Sequence, residues 1–341
     1  MTGQQSNATN DQHQPQSRNN IRAKAPFIAK DTMTLHIPTP CIESHALGQA
    51  SGRRVWLKLE NLQPPGSFKI RGIGAACEEH ARRGKRRFVS SSGGNAGIAV
   101  AYAGRRLGIP VTVVVPETTT ERARALIRAE QAELIVHGKA WHEANALAQS
   151  LLGENDAFLH PFDDPLLWQG HASLVDEVAQ AGIRPDVVVL SVGGGGLYAG
   201  VVEGLRRNGW NDVPVIAVET LGADAFAQSL AQGYRVELAA ITSIATSLAA
   251  KQVCAQAFAL AQQHATRSAT VSDLAAVSAC GRFLDDHRML VEPACGASLA
   301  LGYGHADALG DAENVLIIVC GGVTATVDQL RQWRQELSEE A

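Results

Sequence analysis

From about residue 25 the chain alternates short apolar, β-branched runs with longer segments in which apolar positions recur every three to four residues. Short apolar runs bounded by turn residues predict buried strands, and the longer period predicts helices with one face on a core. Strands are expected at 55–60, 88–91, 111–115, 133–136, 158–160, 187–192, 215–219 and 315–320, and helices at 96–107, 119–130, 140–152 and 166–181, among others. Strand–helix alternation over the whole body predicts parallel sheets built from right-handed crossovers, an α/β fold. Residues 1–24 break the pattern: Gln, Asn, Asp and Ser dominate, with Met1, Ala8, Ile21 and Ala23 apolar. Such a segment cannot bury enough surface to offset its ordering, so a disordered tail is expected there. No repeat of solenoid period is visible.

Three glycine-rich turns follow three of these strands: Ser91-Ser-Gly-Gly-Asn-Ala-Gly97, Ser191-Val-Gly-Gly-Gly-Gly-Leu197 and Cys320-Gly-Gly322. In open parallel sheets ligands bind beyond the carboxyl ends of strands, where helix N-termini point. Gly193, Gly194, Gly195 and Gly196 lack Cβ atoms, so consecutive N–H groups can curl around an anion at the positive end of the next helix. Leu197-Tyr198 stands where a P-loop needs Lys-Ser/Thr, which argues against a nucleoside triphosphate. A second reading stays open on this stretch. Gly194-x-Gly196-x-x-Ala199, with Glu219 ending the next strand, fits a looser dinucleotide fingerprint. A purely structural turn is the third reading.

The stretch Gln63-Pro-Pro-Gly-Ser-Phe-Lys-Ile-Arg-Gly72 bears on the choice. Pro and Gly fix a turn, and Lys69 then begins a segment of helical character among Ser67, Phe68 and Ile70. Desolvation and the helix's positive end both push a lysine pKa down, which suits an imine-forming amine. Alone, Lys69 reads as an ordinary surface lysine. Together with a phosphate cradle and a Ser/Asn loop, it points to a single phosphate-bearing cofactor held through an imine.

Composition narrows the partners. The 341 residues suffice for two domains or one large α/β unit. A net charge of −4 without basic runs argues against nucleic acid or an anionic membrane as partner. No apolar stretch nears the ~18 residues of a membrane span, and nothing N-terminal resembles a signal peptide. Six cysteines, at 41, 77, 254, 280, 295 and 320, show neither CxxC nor small-domain disulfide spacing. A cytoplasmic protein is therefore expected. The 11 histidines include no HExxH, and no Gly-x-Ser-x-Gly elbow occurs.

The chain closely resembles the fold-type II pyridoxal-phosphate enzymes, specifically the L-serine/L-threonine dehydratases of the liver serine dehydratase type. The likeness runs from about residue 35 to 330. It is carried by Leu57-Lys-Leu-Glu-Asn61, Gly66-Ser-Phe-Lys-Ile-Arg-Gly72, Ser91-Ser-Gly-Gly-Asn-Ala-Gly97, Pro161-Phe-Asp-Asp-Pro165, Gly193-Gly-Gly-Gly-Leu197 and Val291-Glu-Pro-Ala-Cys-Gly296. The resemblance implies two parallel-sheet α/β domains, a small one at 68–163 inserted into a large cofactor-binding one made of 25–67 and 164–335. It implies that Lys69 holds the cofactor beside Phe68, and that Gly193, Gly194, Gly195, Gly196 and Leu197 bind its phosphate. Asn95 would bond the ring hydroxyl, and Cys295 would face the pyridine nitrogen. There a neutral thiol cannot hold the nitrogen protonated as a carboxylate would, which favours prompt elimination over transamination. Ser91, Ser92, Gly93 and Asn95 would grip the carboxylate of the small amino-acid substrate, with Lys69 and Ser92 the catalytic candidates. Glu219 and carbonyls near Ala223, Leu248 and Ala250 match positions that hold a monovalent cation, usually K⁺, in relatives; an ordinary ion pair is the plainer reading of Glu219.

The implied reaction is β-elimination of L-serine and L-threonine to pyruvate and 2-oxobutyrate with ammonia, by a homodimer. An amino-acid racemase, another β-eliminating lyase and a nicotinamide-dependent oxidoreductase are the alternatives. The chain ends soon after Gly322, so no isoleucine-sensing regulatory domain is expected. Two departures from the pattern stand out. Gly93 replaces the Ala of some relatives and promises extra room in the substrate loop. Ser247 replaces a frequent Ala on the cofactor face away from Lys69, where a hydroxyl could act as a second proton donor.

Overall fold

The alternation resolves into two separate sheets. The structure, a computed structural model, describes residues 1–3 and 34–339. The expected tail at 1–24 therefore lies, but for its first three residues, outside the described residues. The first half of the chain runs β1 (Cys41–Glu43), α1 (His45–Ser51), β2 (Arg54–Leu59), α2 (Lys69–Arg82), β3 (Arg87–Ser90), α3 (Asn95–Leu107), β4 (Val111–Val115), α4 (Glu121–Ala129), β5 (Glu133–Val136), α5 (Trp141–Ser150) and β6 (Asp156–Phe158). The second half runs α6 (Pro165–Gln180), β7 (Val187–Ser191), α7 (Gly196–Arg207), β8 (Val215–Thr220), α8 (Ala225–Gln232), α9 (Ala255–Ala261), β9 (Thr266–Val271), α10 (Asp273–His287), α11 (Pro293–Gly304), β10 (Asn314–Val319) and α12 (Val327–Glu339).

The larger sheet has the order β1-β2-β10-β7-β8-β9, and the smaller β5-β4-β3-β6. Every pairing is parallel except β1 on β2, which is antiparallel at one edge. In the middle of the larger sheet, Val315 pairs with Val187 and Val188 with Val215. Strands β7 and β8 are buried along their whole length. That is the signature of a parallel sheet covered on both faces, where each fully enclosed Val, Leu or Ile contributes about 1.5–3 kcal/mol. Helix α11 is buried at every position from Pro293 to Tyr303, packed inside rather than lying across a surface.

Helix starts follow local chemistry. Ser44, Thr120, Asp164 and Ser272 each accept a first-turn backbone N–H from their own helix, and Pro165 takes the position where a missing N–H costs nothing. Two strands were not expected from the pattern. β9 reads Thr-Arg-Ser-Ala-Thr-Val and is mostly open along the sheet edge, and β1 has only three residues. β6 also lies two residues before the expected 158–160, because His160 turns the chain instead of extending it: its Nδ1 accepts the N–H groups of Phe162 and Asp163. The consequence for function is positional. Ser90, Ser191 and Val319 end β3, β7 and β10, so all three glycine-rich turns leave the carboxyl ends of parallel strands.

Candidate active site

Lys69 is the first residue of α2, directly after the turn that the two prolines and Gly66 set. Gly66 has φ +81°, and a Cβ there would lie 2.7 Å from Val323 Cβ, so the turn admits no larger residue without displacement. Lys69 Nζ donates to Pro161 O at 2.7 Å and sits 5.1 Å from the centre of the Phe68 ring. Part of the side chain stays open, yet the crowding around it lowers the ammonium pKa to about 8. Burial is the main cause, opposed by the acidic groups of Cys320, Glu292 and Cys254. Phe68 is pinned in turn, its N–H donating to Cys320 O at 3.1 Å and its ring lying 4.9 Å from that of His171.

The four glycines after β7 are required by close approach. A Cβ on Gly194 would meet the Phe162 ring at 2.2 Å, and one on Gly196 would meet Phe162 O at 2.7 Å. One on Gly195, at φ +91°, would meet Ala257 Cβ at 2.5 Å, and one on Gly193 would meet Ser247 O at 3.0 Å. Gly195 caps α7 with no side chain to offer. Among the described residues, the N–H groups from Gly193 through Tyr198 find no acceptor in the protein. Such a run of free donors at a helix's positive end fits a phosphate.

Asn95 begins α3 and is buried. Its Nδ2 donates to Glu292 Oε1 at 2.7 Å and lies 3.3 Å from Ser247 Oγ, while its Oδ1 accepts Val323 N–H at 3.4 Å. Ser91 is buried with its hydroxyl donating to Asn145 Oδ1 at 2.8 Å, so any part it plays toward a substrate falls to its backbone. Ser92 is only half-buried, and its hydroxyl makes one long contact, from Gly94 N–H at 3.4 Å. The extra room expected at Gly93 is absent: a Cβ there would come within 2.6 Å of Thr119 Oγ1 and 2.7 Å of its Cγ2. Thr119 fills the space that the glycine leaves.

Cys295 is fully buried in the first turn of α11. Its thiol, together with burial, holds the neighbouring Cys320 thiol well above the usual thiol range. Glu219, at the end of β8, spends both carboxylate oxygens on the start of α8, accepting Phe226 N–H at 2.9 Å and Ala227 N–H at 2.7 Å. Burial nevertheless pushes its pKa up to about 8. The Leu248 carbonyl accepts Ala250 N–H at 2.7 Å, and Ala223 N–H donates to Thr220 O at 2.9 Å. No group of three or more His, Cys, Asp or Glu side chains arranged to hold a metal occurs among the described residues.

A continuous path of neighbours thus joins several of the sequence-nominated residues: Lys69 to Pro161, Phe162 to Gly194, Gly193 to Ser247, Ser247 to Asn95 and Asn95 to Glu292. Its pieces fit pyridoxal phosphate. There is an amine of lowered pKa, a glycine loop with free donors, and an amide beside them. Glu292 had no role assigned from the sequence beyond its place in a motif. It is buried, Thr324 Oγ1 donates to its second oxygen at 3.0 Å, and burial pushes its pKa up against the Ser247, Thr324 and Asn95 hydrogen bonds. Phe162, Thr119 and Cys254 were likewise not singled out. The signal that could have raised Glu292 is an acidic residue directly before a Pro-started apolar helix, where a solvated capping carboxylate has no water to face.

Residues 32–321 match the family model described as "Pyridoxal-phosphate dependent enzyme". The chain is 50% identical over 313 residues to the mouse (Mus musculus) protein named "Serine dehydratase-like", covering 89% of this chain and 95% of that one. It is 46% identical over 314 residues to the human (Homo sapiens) "L-serine dehydratase/L-threonine deaminase", covering 89% and 96%. A fungal L-serine ammonia-lyase from Rhizomucor miehei superposes with a TM-score of 0.85 at 38% identity, covering 89% of this chain and 99% of that one. The dinucleotide reading of the glycine loop falls with these findings, as it does on geometry, since Glu219 is engaged with backbone N–H groups instead of standing free for a ribose. The chain belongs to the pyridoxal-phosphate dependent enzymes of fold type II, in the serine dehydratase group.

Proposed function

We propose that this chain catalyses β-elimination of L-serine and L-threonine, releasing ammonia together with pyruvate or 2-oxobutyrate. The observation that carries the reading is Lys69, an amine lowered to about 8 whose one hydrogen-bond partner among the described residues is a carbonyl, on the same path of neighbours as the free donors of the glycine loop. The names of the human and fungal relatives point to the same reaction.

When bound, pyridoxal phosphate supplies the electron-accepting ring that lets an amino acid's Cα–H bond break as a proton loss. Everything else falls to the chain. With a pKa of about 8, roughly a tenth of Lys69 is neutral at pH 7, against a few molecules in ten thousand for an ordinary lysine. Neutral Nζ is the form that can attach to a carbonyl carbon and later accept the Cα proton. The free N–H groups from Gly193 to Tyr198 would hold the phosphate, and Phe68 would lie along the ring. The start of α3 would take the substrate carboxylate, with Ser92 keeping its hydroxyl for the substrate. Ser247, the other candidate proton donor, has its hydroxyl oxygen in contact with Asn95 Nδ2 at 3.3 Å, which weighs against a racemase.

A monovalent cation, K⁺ by preference, at Glu219 with carbonyls near Ala223, Leu248 and Ala250 belongs to the same proposal. Its support is a buried carboxylate that no basic side chain approaches within salt-bridge distance among the described residues. Homodimer assembly and a cytoplasmic location are further parts of it. The six cysteines, all free, suit a reducing compartment, and no described helix is long and apolar enough to cross a membrane. The test is direct. Protein loaded with pyridoxal phosphate is given L-serine or L-threonine in KCl or NaCl, and pyruvate, 2-oxobutyrate and D-serine are measured. D-serine without keto acid would replace the lyase with a racemase, and indifference to the cation would return Glu219 to helix capping.

A further inference from the structure

Asn95 stands at the join of three segments that are far apart in sequence, and its carboxamide can face them in two ways, with nitrogen and oxygen exchanged. Its surroundings decide. An ionised carboxylate only accepts hydrogen bonds. Glu292 Oε1, 2.7 Å away, takes the amide nitrogen on its side, and Val323 N–H, which can only donate, faces the amide oxygen at 3.4 Å; the flipped amide would set oxygen against oxygen and N–H against N–H. Glu292 is held for this task on all sides. Thr324 Oγ1 donates to its other oxygen at 3.0 Å, and Gly322 lies so close that a Cβ there would come 2.2 Å from Glu292 Cγ and Cδ. Gly322 adopts φ +123°, a conformation that glycine tolerates, so the turn after β10 is shaped around this carboxyl. Of the two amide hydrogens on Asn95, one is spent on Glu292. The other has only a 3.3 Å contact to Ser247 Oγ, and is the one an incoming acceptor would capture.

We propose that Glu292 is a positioning residue for the cofactor: it fixes the Asn95 carboxamide so that a donor, never an acceptor, is offered to the ring oxygen of pyridoxal phosphate. A donor selects the ionised ring oxygen, which an amide turned the other way would repel. Glu292 thereby sets the charge state that the site accepts without touching the cofactor itself. The inference rests on pyridoxal-phosphate binding beside Asn95, as in the functional reading above.

The experiment measures the equilibrium dissociation constant for pyridoxal phosphate, without substrate, for wild type, E292A, E292Q, N95A and the double variant N95A/E292A. E292A should weaken binding about 10- to 100-fold, the range expected when a buried donor loses its partner. E292Q can still accept through its amide oxygen, with Thr324 turning to accept from its nitrogen, and should stay within about 3-fold of wild type. In the N95A background, E292A should add less than about 2-fold, since its effect passes through that amide. A merely structural role would give additive losses and no rescue by glutamine, and either result overturns the proposal. If E292A does not fold, E292M, closer in volume, takes its place in the same comparisons. A wild type that takes up no pyridoxal phosphate would sink the functional reading and this inference together, whereas normal uptake with E292A unchanged would overturn this inference alone.

Discussion

Lys58 and Lys69 are neighbouring enclosed lysines with opposite fates. Lys58, fully buried in β2, donates to Thr39 O at 2.6 Å and to Glu177, and lies 3.9 Å from Glu60 Oε1. Arg71 completes the group, reaching Glu60 Oε2 at 2.6 Å and Glu177 Oε1 at 2.7 Å, while Thr39 Oγ1 closes on Glu60 Oε1 at 2.6 Å. Two cations meet two carboxylates, and hardly a polar atom is left over. Burial pushes Glu177 up, but the Arg71 and Lys58 contacts outweigh it and hold its carboxyl below the ordinary range. Lys69, on the same stretch of chain as Arg71, has one carbonyl and, among the described residues, no carboxylate within bonding distance. Desolvation is therefore left to act at Lys69, which lacks the carboxylate partners that Lys58 has. A buried charge that is fully partnered holds segments together, and one that is not becomes reactive.

The contrast can be broken in several ways. Lys69→Ala should lower turnover by at least ~10⁴-fold with little change in unfolding, because anchor and base vanish together. Steady-state assays beside urea melts check it. Lys58→Met should do the reverse, costing about 3–5 kcal/mol of stability by leaving Arg71 as the one cation against two buried carboxylates, Glu177 and Glu60, while Lys69→Met shifts stability by less than about 0.5 kcal/mol. Equal losses for both would erase the distinction. Within the substrate loop, Gly93→Ala should cost about 1–3 kcal/mol by crowding Thr119, and Thr119→Ala should restore most of it in the double variant. Last, the rate at which apoprotein takes up pyridoxal phosphate should rise with pH through a midpoint near 8, since the attacking amine is neutral only above its pKa. The gain from pH 7 to 9 should be about tenfold; a flat profile would return Lys69 to an ordinary lysine.

How much of this was legible depended on whether a residue's job leaves a local mark. β7 and β10 were readable because burial on both faces forces unbroken apolar runs, Val-Val-Val-Leu and Val-Leu-Ile-Ile-Val. β9, open at the sheet edge, carries Thr, Arg and Ser and leaves no such run. Lys69 and Gly193–Gly196 were nominated for similar reasons: an amine in an apolar turn and four successive glycines are locally costly choices. Glu292 escaped because its partners Asn95 and Thr324 lie 197 and 32 positions away, a distance that no spacing rule spans. Gly93 misled for a related reason. A missing side chain was read as space, when Thr119, from a different loop, already occupies it.

The central claim is that Lys69 alone carries the cofactor. Protein loaded with pyridoxal phosphate, reduced with borohydride and mapped by peptide mass, tests it most directly, because reduction fixes the cofactor to whichever lysine holds it. The account predicts a single pyridoxyl-bearing peptide, with the label on Lys69 and none on Lys24, Lys30, Lys58, Lys85, Lys139 or Lys251. A stoichiometric label on any of those six, or a loaded protein with no label at all, would contradict it.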